Sequence, residues 1–318
     1  MSSGNTNSNT ISIIIPFFNE EKSLPILIQE ICDTLGDYSL NLILINDGST
    51  DKSEETLISI FKNNNYKNIS FKLVTLSRNF GHQIAIIAGL HESTKISDYF
   101  AVIDSDLQDN PADIACMVRE IDKGYDCVYA VRKANSQNIL INLFTDLFYY
   151  LQNKISRLHV PKNAGTFSVF TSRFKEQLLR MSEKEIYFPG IRAYVGLNQK
   201  GIPVTRRVRS FELSRVGIIG LVDLALNGVL SFTNFPLRLI FITGLIITVT
   251  CSILGVVLFW LRVFSITTIP GVTSVLIAIV ALFGIQFMFL GIVGEYLGKL
   301  FIESKARPIY FISRIKDF

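Results

Sequence analysis

The chain has 318 residues, of which 49% are hydrophobic and 18% are charged, and its mean hydropathy is +0.36. This composition excludes a disordered chain, because disorder requires low hydrophobicity and high net charge. A net charge of only +4, with no aromatic residues interleaved in a basic stripe, argues against nucleic acid as a partner.

Charge is distributed unevenly along the sequence. Arg238 and Arg262 are the only charged residues in the stretch 236–294. The sequence before this stretch has the charge content of an ordinary soluble domain. We expect residues 1–10, which are polar and uncharged, to be a disordered N-terminus, and residues 11–211 to form a soluble domain.

Apolar runs of strand length alternate in this domain with stretches in which apolar residues recur every three or four positions, as in helices. The predicted strands are Ile11–Ile15, Leu42–Ile45, Leu73–Leu76, Phe100–Ile103 and Cys127–Val131. The predicted helices are Ser23–Leu35, Ser53–Phe61, Gln83–His91 and Ala112–Ile121. Continuous apolar strands that alternate with helices favour an α/β fold, with a mainly parallel, Rossmann-like sheet covered on both faces.

A polar cluster follows each of the first four predicted strands. In chain order the clusters are PFFNE (16–20), NDGSTD (46–51), SRNFGH (77–82) and DSDLQD (104–109). Ligands of such sheets bind beyond the carboxyl ends of the strands, so we expect the four clusters to converge on one site. The glycine-rich fingerprints of dinucleotide-binding and P-loop proteins do not occur in the sequence.

The last cluster predicts a metal site. Asp104 and Asp106 are two residues apart at a strand end, and with Gln108 they offer the oxygen ligands that Mg²⁺ or Mn²⁺ takes while its other positions bind phosphate. The alternative is a solvated acidic loop.

Two further carboxylates, Glu20 and Asp47, can accept hydrogen bonds from a base N–H or a ribose hydroxyl. Helix capping by Asp47, Ser49 and Asp51 is an alternative that does not exclude this role. The three histidines, His82, His91 and His159, are interpreted as structural, and contact of His82 with substrate is the alternative.

The C-terminal part predicts a membrane anchor over residues 236–298. The runs 239–261 and 272–294 contain no charged residue. Each would be roughly 35 Å long as a helix, enough to cross a ~30 Å hydrocarbon core. A pair of buried core helices is the alternative. Residues 212–235 favour one or two helices in the membrane interface, the alternative being a helix packed on the soluble domain.

Residues 299–318 are predicted to form a basic cytosolic tail, because Lys and Arg are frequent there. The positive-inside rule then places both termini and the domain 11–211 in the cytoplasm, with a multi-pass anchor in the plasma (inner) membrane. The GxxxG spacing of Gly294 and Gly298 permits close helix contact and suggests a homo-oligomer.

The segments PFFNEE, NDGSTD, SRNFGHQ and DSDLQDNP, followed by a two-span anchor, resemble family 2 glycosyltransferases with the GT-A fold. Within this family the sequence is similar to the polyprenyl-phosphate glycosyltransferase branch, which includes bactoprenol glucosyltransferases and dolichyl-phosphate mannose synthases. The resemblance runs from about Ile11 to the C-terminus.

The resemblance implies roles for particular residues. Those expected to hold the nucleoside of a nucleotide-sugar donor are Pro16, Phe18, Glu20 and Asp47. Those expected to hold Mg²⁺ or Mn²⁺ on its diphosphate are Asp104, Asp106 and Gln108. Those expected to contact phosphate, either on the donor or on a lipid, are Arg132, Arg207, Arg209, Ser214 and Arg215. Of these, Asp104, Asp106, Arg132 and Arg209 are the expected catalytic residues.

The sequence departs from the family pattern at two positions. Glu212 stands where the segment before the membrane usually has Gly, and Thr166 stands where the family often has an acidic residue. An alternative role for Arg207, Arg209 and Arg215 is attraction to anionic lipid headgroups, worth about 1 kcal/mol each.

The implied activity is transfer of glucose from UDP-glucose to a polyprenyl (undecaprenyl) phosphate at the membrane, with inversion at the anomeric carbon. GDP-mannose or a UDP-aminopentose is the alternative donor. A membrane scaffold that keeps the fold without enzymatic activity is the alternative from another class of protein.

Overall fold

The computed structural model describes residues 9–63, 68–93, 97–132, 164–181, 183–184, 186–207 and 272–318, with single positions between 242 and 264. Residues 1–8 of the predicted disordered N-terminus, the predicted interface helices and most of the first predicted span lie outside the described residues. Thr10, which was predicted to be disordered, is instead the first residue of a strand, because it pairs with Ser39 of the neighbouring strand. The chain forms two compact units, residues 1–217 with 307–318, and residues 218–306.

The larger unit alternates strands and helices as predicted. Its strands are β1 Thr10–Phe17, β2 Ser39–Asn46, β3 Ile69–Leu76, β4 Tyr99–Val102, β5 Cys127–Arg132, β6 Ala164–Thr171, β7 Gln199–Val204 and β8 Ile312–Asp317. Its described helices are α1 Ser23–Thr34, α2 Ser53–Asn63, α3 His82–Glu92, α4 Ala112–Ile121, α5 Ser172–Leu179 and α6 Phe188–Val195.

The eight strands form one sheet in the order β7-β5-β6-β4-β1-β2-β3-β8. Strand β1 pairs in parallel with β2 and β4, β2 with β3, and β5 with β7. Strand β6 is antiparallel to β4 and β5, and β8 is antiparallel to β3. The prediction of a mixed α/β fold with a mainly parallel sheet is confirmed.

The central strands are largely apolar because both faces of the sheet are buried. Ile13 and Ile15 on β1 pack in one cluster with residues of α1, α2 and α4. Ile14, between them, packs in a second cluster with residues of α3, α5 and α6. Successive side chains of a strand point to opposite faces, so a continuous apolar run supplies both clusters.

Strand β8 corrects the prediction of a basic tail over residues 299–318. Residues 312–317 instead form an edge strand of the catalytic sheet, outside the predicted domain boundary of 11–211. Glu54 of α2 joins this strand to the domain. Its Oε2 accepts hydrogen bonds from Asn46 Nδ2 at 3.1 Å and Thr75 Oγ1 at 3.2 Å, and its Oε1 pairs with Arg314 and, at 3.6 Å, with Lys316 Nζ.

The smaller unit contains helix α7, Val272–Ser304, which includes the whole of the second predicted span. Among the described helices, one segment, Ile285–Ser304, is long and apolar enough to cross a membrane. The helix extends ten residues past Gly294, where the predicted span ends. The two-span anchor therefore stays a prediction.

Glu54→Gln tests the attachment of β8. The substitution removes the negative charge that faces two cations, and the unfolding free energy should fall by about 1–3 kcal/mol. Thermal unfolding of the purified full-length protein measures this loss. Glu55→Gln, on an exposed position of the same helix, is the control and should change stability by less than about 0.5 kcal/mol. Equal midpoints for the two variants would contradict the assignment.

Candidate active site

A pocket of about 350 Å³ opens at the carboxyl ends of β1, β2 and β4, beside the first turn of α3. All four residues predicted to hold a nucleoside line it, together with both carboxylates of the predicted metal site. The lining is Pro16, Phe17, Phe18, Glu20, Asp47, Asn79, Gly81, His82, Ala85, Asp104, Ser105 and Asp106. Residues of all four polar clusters therefore line one pocket, as predicted.

The first two clusters are joined by the Asn19 side chain and its backbone. Asn19 Oδ1 accepts a hydrogen bond from Thr50 N at 2.8 Å, and Asn19 N donates to Ser49 Oγ at 3.0 Å. Asn19 has a φ of 56°, in the left-handed region that asparagine tolerates better than most residues. These bonds fix the segment that carries Phe18 and Glu20 against the turn that carries Asp47.

Asp47 is buried, with 3% of its surface exposed, and it shapes the loop before α3. Its Oδ1 accepts a hydrogen bond from Phe80 N at 2.7 Å, and its Oδ2 accepts one from Gly81 N at 2.9 Å. Burial raises the pKa of Asp47, although these two bonds lower it. Both carboxylate oxygens of Asp47 thus accept hydrogen bonds from the backbone, so this side chain stabilises the loop that forms the pocket wall.

The turn after Asp47 requires a glycine. Gly48 has a φ of +72°, and an added Cβ would lie 2.6 Å from the carbonyl carbon of Arg78. The two loops therefore pack backbone against backbone. The helix-capping alternative holds for Asp51, whose Oδ1 accepts Ser53 N at 3.1 Å at the start of α2.

Asp104 is held by three partners. Its Oδ1 accepts a hydrogen bond from Thr166 Oγ1 at 2.9 Å and lies 3.1 Å from His82 Nε2, and its Oδ2 lies 3.2 Å from Arg206 Nη2. Burial alone would raise the pKa of Asp104, but His82, Arg206 and Thr166 together lower it. Asp104 is therefore ionised at neutral pH.

Asp106 is the less partnered carboxylate of the pair. Its Oδ1 accepts a hydrogen bond from Gln108 N at 3.1 Å, across a turn in which Leu107 has a φ of 62°. Burial and the charge of Asp104 raise the pKa of Asp106. Gln108 contributes its backbone here and is not among the residues that line the pocket.

Arg206 was missed by the sequence analysis. Its Nε and Nη2 bond the two oxygens of the buried Asp109 at 3.0 and 3.2 Å, while Nη2 also reaches Asp104. The neighbouring Arg207, which was predicted to contact phosphate, bonds both carboxylate oxygens of Glu30 at 2.8 Å. The two arginines are adjacent in an irregular segment after β7, and the sequence did not indicate which of them pairs with Asp104 and Asp109.

His82, interpreted as structural with substrate contact as the alternative, contacts Asp104 and lines the pocket. Arg132 is exposed at the end of β5, and its guanidinium lies against Gly165, where an added Cβ would come within 2.9 Å of Nη2. Arg209, Ser214 and Arg215 lie outside the described residues.

The donor set suits a divalent cation that shares its coordination with a ligand. Among the described residues, no group of three or more His, Cys, Asp or Glu side chains could hold a metal on its own. Asp104 and Asp106 nevertheless present two carboxylates to one pocket. Mg²⁺ is commonly bound by one or two carboxylates and completed by substrate phosphates, and the residues present fit that arrangement.

Residues 12–179, more than half of the chain, match the family described as glycosyl transferase family 2. In mainly parallel α/β sheets, ligands bind in the crevice beyond the carboxyl ends of the strands, where this pocket lies. The chain belongs to glycosyl transferase family 2, and it is a glycosyltransferase.

Similar proteins span almost the whole chain. A prophage bactoprenol glucosyl transferase homolog of Escherichia coli is 33% identical over 96% of this chain and 99% of its own. An undecaprenyl-phosphate 4-deoxy-4-formamido-L-arabinose transferase of Photorhabdus laumondii is 30% identical over 96% and 94%, respectively. Among solved structures, glucosyl-3-phosphoglycerate synthase of Mycobacterium tuberculosis with Mn²⁺ and UDP-glucose is 19% identical, with a TM-score of 0.47 over 69% of this chain and 78% of that one.

Asp47→Asn tests the loop contact. The asparagine nitrogen would face a backbone N–H, donor against donor, and leave a buried donor unsatisfied at a cost of about 1–3 kcal/mol. Hydrogen exchange of the segment that contains Phe80 and Gly81 should become about tenfold faster or more. Asp33→Asn, at an exposed position of α1, should leave that segment unchanged. Unchanged exchange in Asp47→Asn would show that the carboxylate does not hold the loop.

Proposed function

We propose that this glycosyltransferase moves glucose from UDP-glucose to a polyprenyl phosphate, with Mg²⁺ or Mn²⁺ on the donor diphosphate. The observation that carries the proposal is the pocket shared by the nucleoside-side residues, such as Phe18 and Asp47, and by the acidic pair Asp104 and Asp106. A donor with a base at one end and a diphosphate at the other matches this distribution of apolar and acidic groups.

The proposed donor pose follows the pocket lining. Pro16 and Phe18 give an apolar surface for the base, and Glu20, which lines the same pocket, is the proposed carboxylate contact of the nucleoside. Asp104 and Asp106 would hold the metal beside the diphosphate, with Gln108 a further proposed ligand. A bound metal would supply positive charge to the departing phosphate oxygens, which lowers the barrier to leaving-group departure.

Arginine side chains would stabilise the same negative charge. Arg132, at the end of β5, is close enough to Asp104, Asp106 and Asp109 for electrostatic interaction. Arg206 bridges Asp104 and Asp109. Guanidinium groups offer fixed pairs of donors to phosphate, and pre-organised donors of this kind are a large contribution to transfer chemistry. We extend the phosphate role to Arg206 and retain Arg209, Ser214 and Arg215 as contacts of the lipid phosphate.

The acceptor argument rests on chemistry and on the membrane segment. A lipid phosphate is already anionic at neutral pH, so its oxygen can attack the anomeric carbon without a general base. The new bond forms between that oxygen and the sugar as the bond to the nucleoside diphosphate breaks, which inverts the configuration. The apolar segment Ile285–Ser304 supports an enzyme held at the membrane, as do the relatives named for bactoprenol and undecaprenyl phosphate.

The topology is part of the proposal. The catalytic domain and both termini would be cytoplasmic, with spans 239–261 and 272–294 in the plasma membrane and residues 212–235 along its interface. A homo-oligomer that uses Gly294 and Gly298 is proposed from their spacing alone.

The donor sugar is the least constrained element. Relatives of similar identity are named for glucose and for a formamido-arabinose, so a UDP-aminopentose is the alternative, along with GDP-mannose. The experiment is a donor panel with the purified protein in undecaprenyl phosphate vesicles containing Mg²⁺ or Mn²⁺. Glucose transfer to lipid from UDP-glucose is expected. Transfer of another sugar alone would change the donor, and no transfer from any donor would favour a scaffold.

Asp106→Ala should abolish transfer, because it removes the carboxylate with the fewest protein partners in the acidic pair. Transfer and the thermal midpoint are measured on the same preparation, and the midpoint should stay close to that of the wild type. Asp37→Ala, at an exposed position after α1, should keep full activity. Near-wild-type transfer by Asp106→Ala in Mg²⁺ would reject the metal assignment.

A further inference from the structure

Arg192 is a buried cation with unused hydrogen-bonding capacity. It lies on α6, has 1% of its surface exposed, and its Nη1 donates to the carbonyl oxygen of Gly165 at 2.8 Å. Its Nε and Nη2 are buried without any hydrogen-bond partner, and no carboxylate pairs with it in the described part of the chain. Its guanidinium lies 4.1 Å from the centroid of the Tyr129 ring.

Stability does not account for a guanidinium at this position. Burying a cation without an acidic partner costs free energy, as does each donor that loses water without gaining an acceptor. A methionine of similar length would fill the same space without either cost. Unsatisfied buried groups that a fold retains call for another explanation, and function is one of the common ones.

The Gly165 carbonyl, to which Arg192 donates a hydrogen bond, lies in an irregular part of the sheet. Strands β5 and β6 pair at Val131 with Ala164 and at Tyr129 with Ser168. Residues 165–167 of β6 therefore face the single residue Ala130, so that β6 bulges at this point. A bulge breaks the regular ladder and re-aims side chains, and it needs bonds from elsewhere to keep one geometry. Arg192 supplies such a bond through Gly165 and contacts β5 through Tyr129.

The bulge carries two contacts of the candidate active site. Thr166, within it, donates its hydroxyl to Asp104 at 2.9 Å. Gly165, beside it, is the residue against which Arg132 lies. One segment thus touches both a proposed metal ligand and a proposed phosphate contact, and Arg192 is bonded to that segment through the Gly165 carbonyl.

We propose that Arg192 is a positioning residue: it fixes the β6 bulge so that Thr166 and Arg132 are correctly placed for the donor diphosphate. This inference rests on the proposed function. Arg192 itself need not touch the donor, because its effect passes through the Gly165 carbonyl and the Tyr129 ring.

Arg192→Met is the direct test. Its unfolding midpoint should equal or exceed that of the wild type, because the uncompensated charge is gone. Its kcat for sugar transfer should fall, and so should its affinity for UDP in Mn²⁺, which calorimetry measures without turnover. The combined loss should be about tenfold or more. Arg192→Lys keeps one donor for Gly165 and should recover part of the loss.

Lys175→Met is the matched control. Lys175 is also a buried cation 4.1 Å from a ring centroid, that of Phe100, but its Nζ bonds Ser93 Oγ at 2.6 Å, away from the bulge. UDP affinity should be unchanged in this variant. A lower midpoint in Arg192→Met with unchanged kcat and UDP affinity would make Arg192 merely structural and overturn the inference.

Thr166→Val gives a second test if Arg192→Met does not fold. It removes only the hydroxyl that reaches Asp104 and should reproduce the loss of UDP affinity, whereas wild-type affinity would overturn the proposed route. The two levels of the account can be separated. Wild-type protein that transfers no sugar from any donor refutes the proposed function and this inference with it, while an active wild type with an equally active Arg192→Met refutes this inference alone.

Discussion

The arrangement of the pocket depends on how the negative charge at the end of β4 is balanced. Asp104, Asp106 and Asp109 lie within six residues, and the first and last of them share Arg206. Buried like charges are unstable unless cations or hydrogen bonds compensate them. His82 and Thr166 are the other partners of Asp104. Asp106 is therefore the carboxylate that can pair with a further positive charge. A divalent cation on a donor diphosphate meets that need.

The parallel sheet explains why distant segments of the chain supply this site. Four strands end at the same edge, and hydrogen bonds join the loops that follow them. Asn19 bonds the turn of Thr50, and Asp47 bonds the loop of Phe80 and Gly81. The antiparallel strand β6 brings Thr166 to the same edge through its bulge. At the far edge, β8 returns the chain to the catalytic sheet after α7.

The sequence predicted the elements that depend on local periodicity and on polar residues at strand ends. Helix α4 was predicted at its observed bounds, Ala112–Ile121, and Pro16, Phe18, Glu20, Asp47, Asp104 and Asp106 line one pocket as expected. It did not predict features that depend on pairing between residues distant in the sequence. Strand β8 reads as a basic tail because its partner β3 is more than 230 residues away in sequence. The roles of Arg206 and Arg192 follow from their contacts with Asp109 and Gly165, respectively. No sequence spacing predicts either contact.

The central claim is that the acidic pair binds the donor diphosphate through a divalent cation. Calorimetric titration of UDP into the purified protein, with Mn²⁺ and then with chelator, tests it most directly. The account predicts binding that requires Mn²⁺ and is lost in a folded Asp106→Asn variant. UDP binding of equal affinity with Mn²⁺, with chelator and in that variant would contradict it.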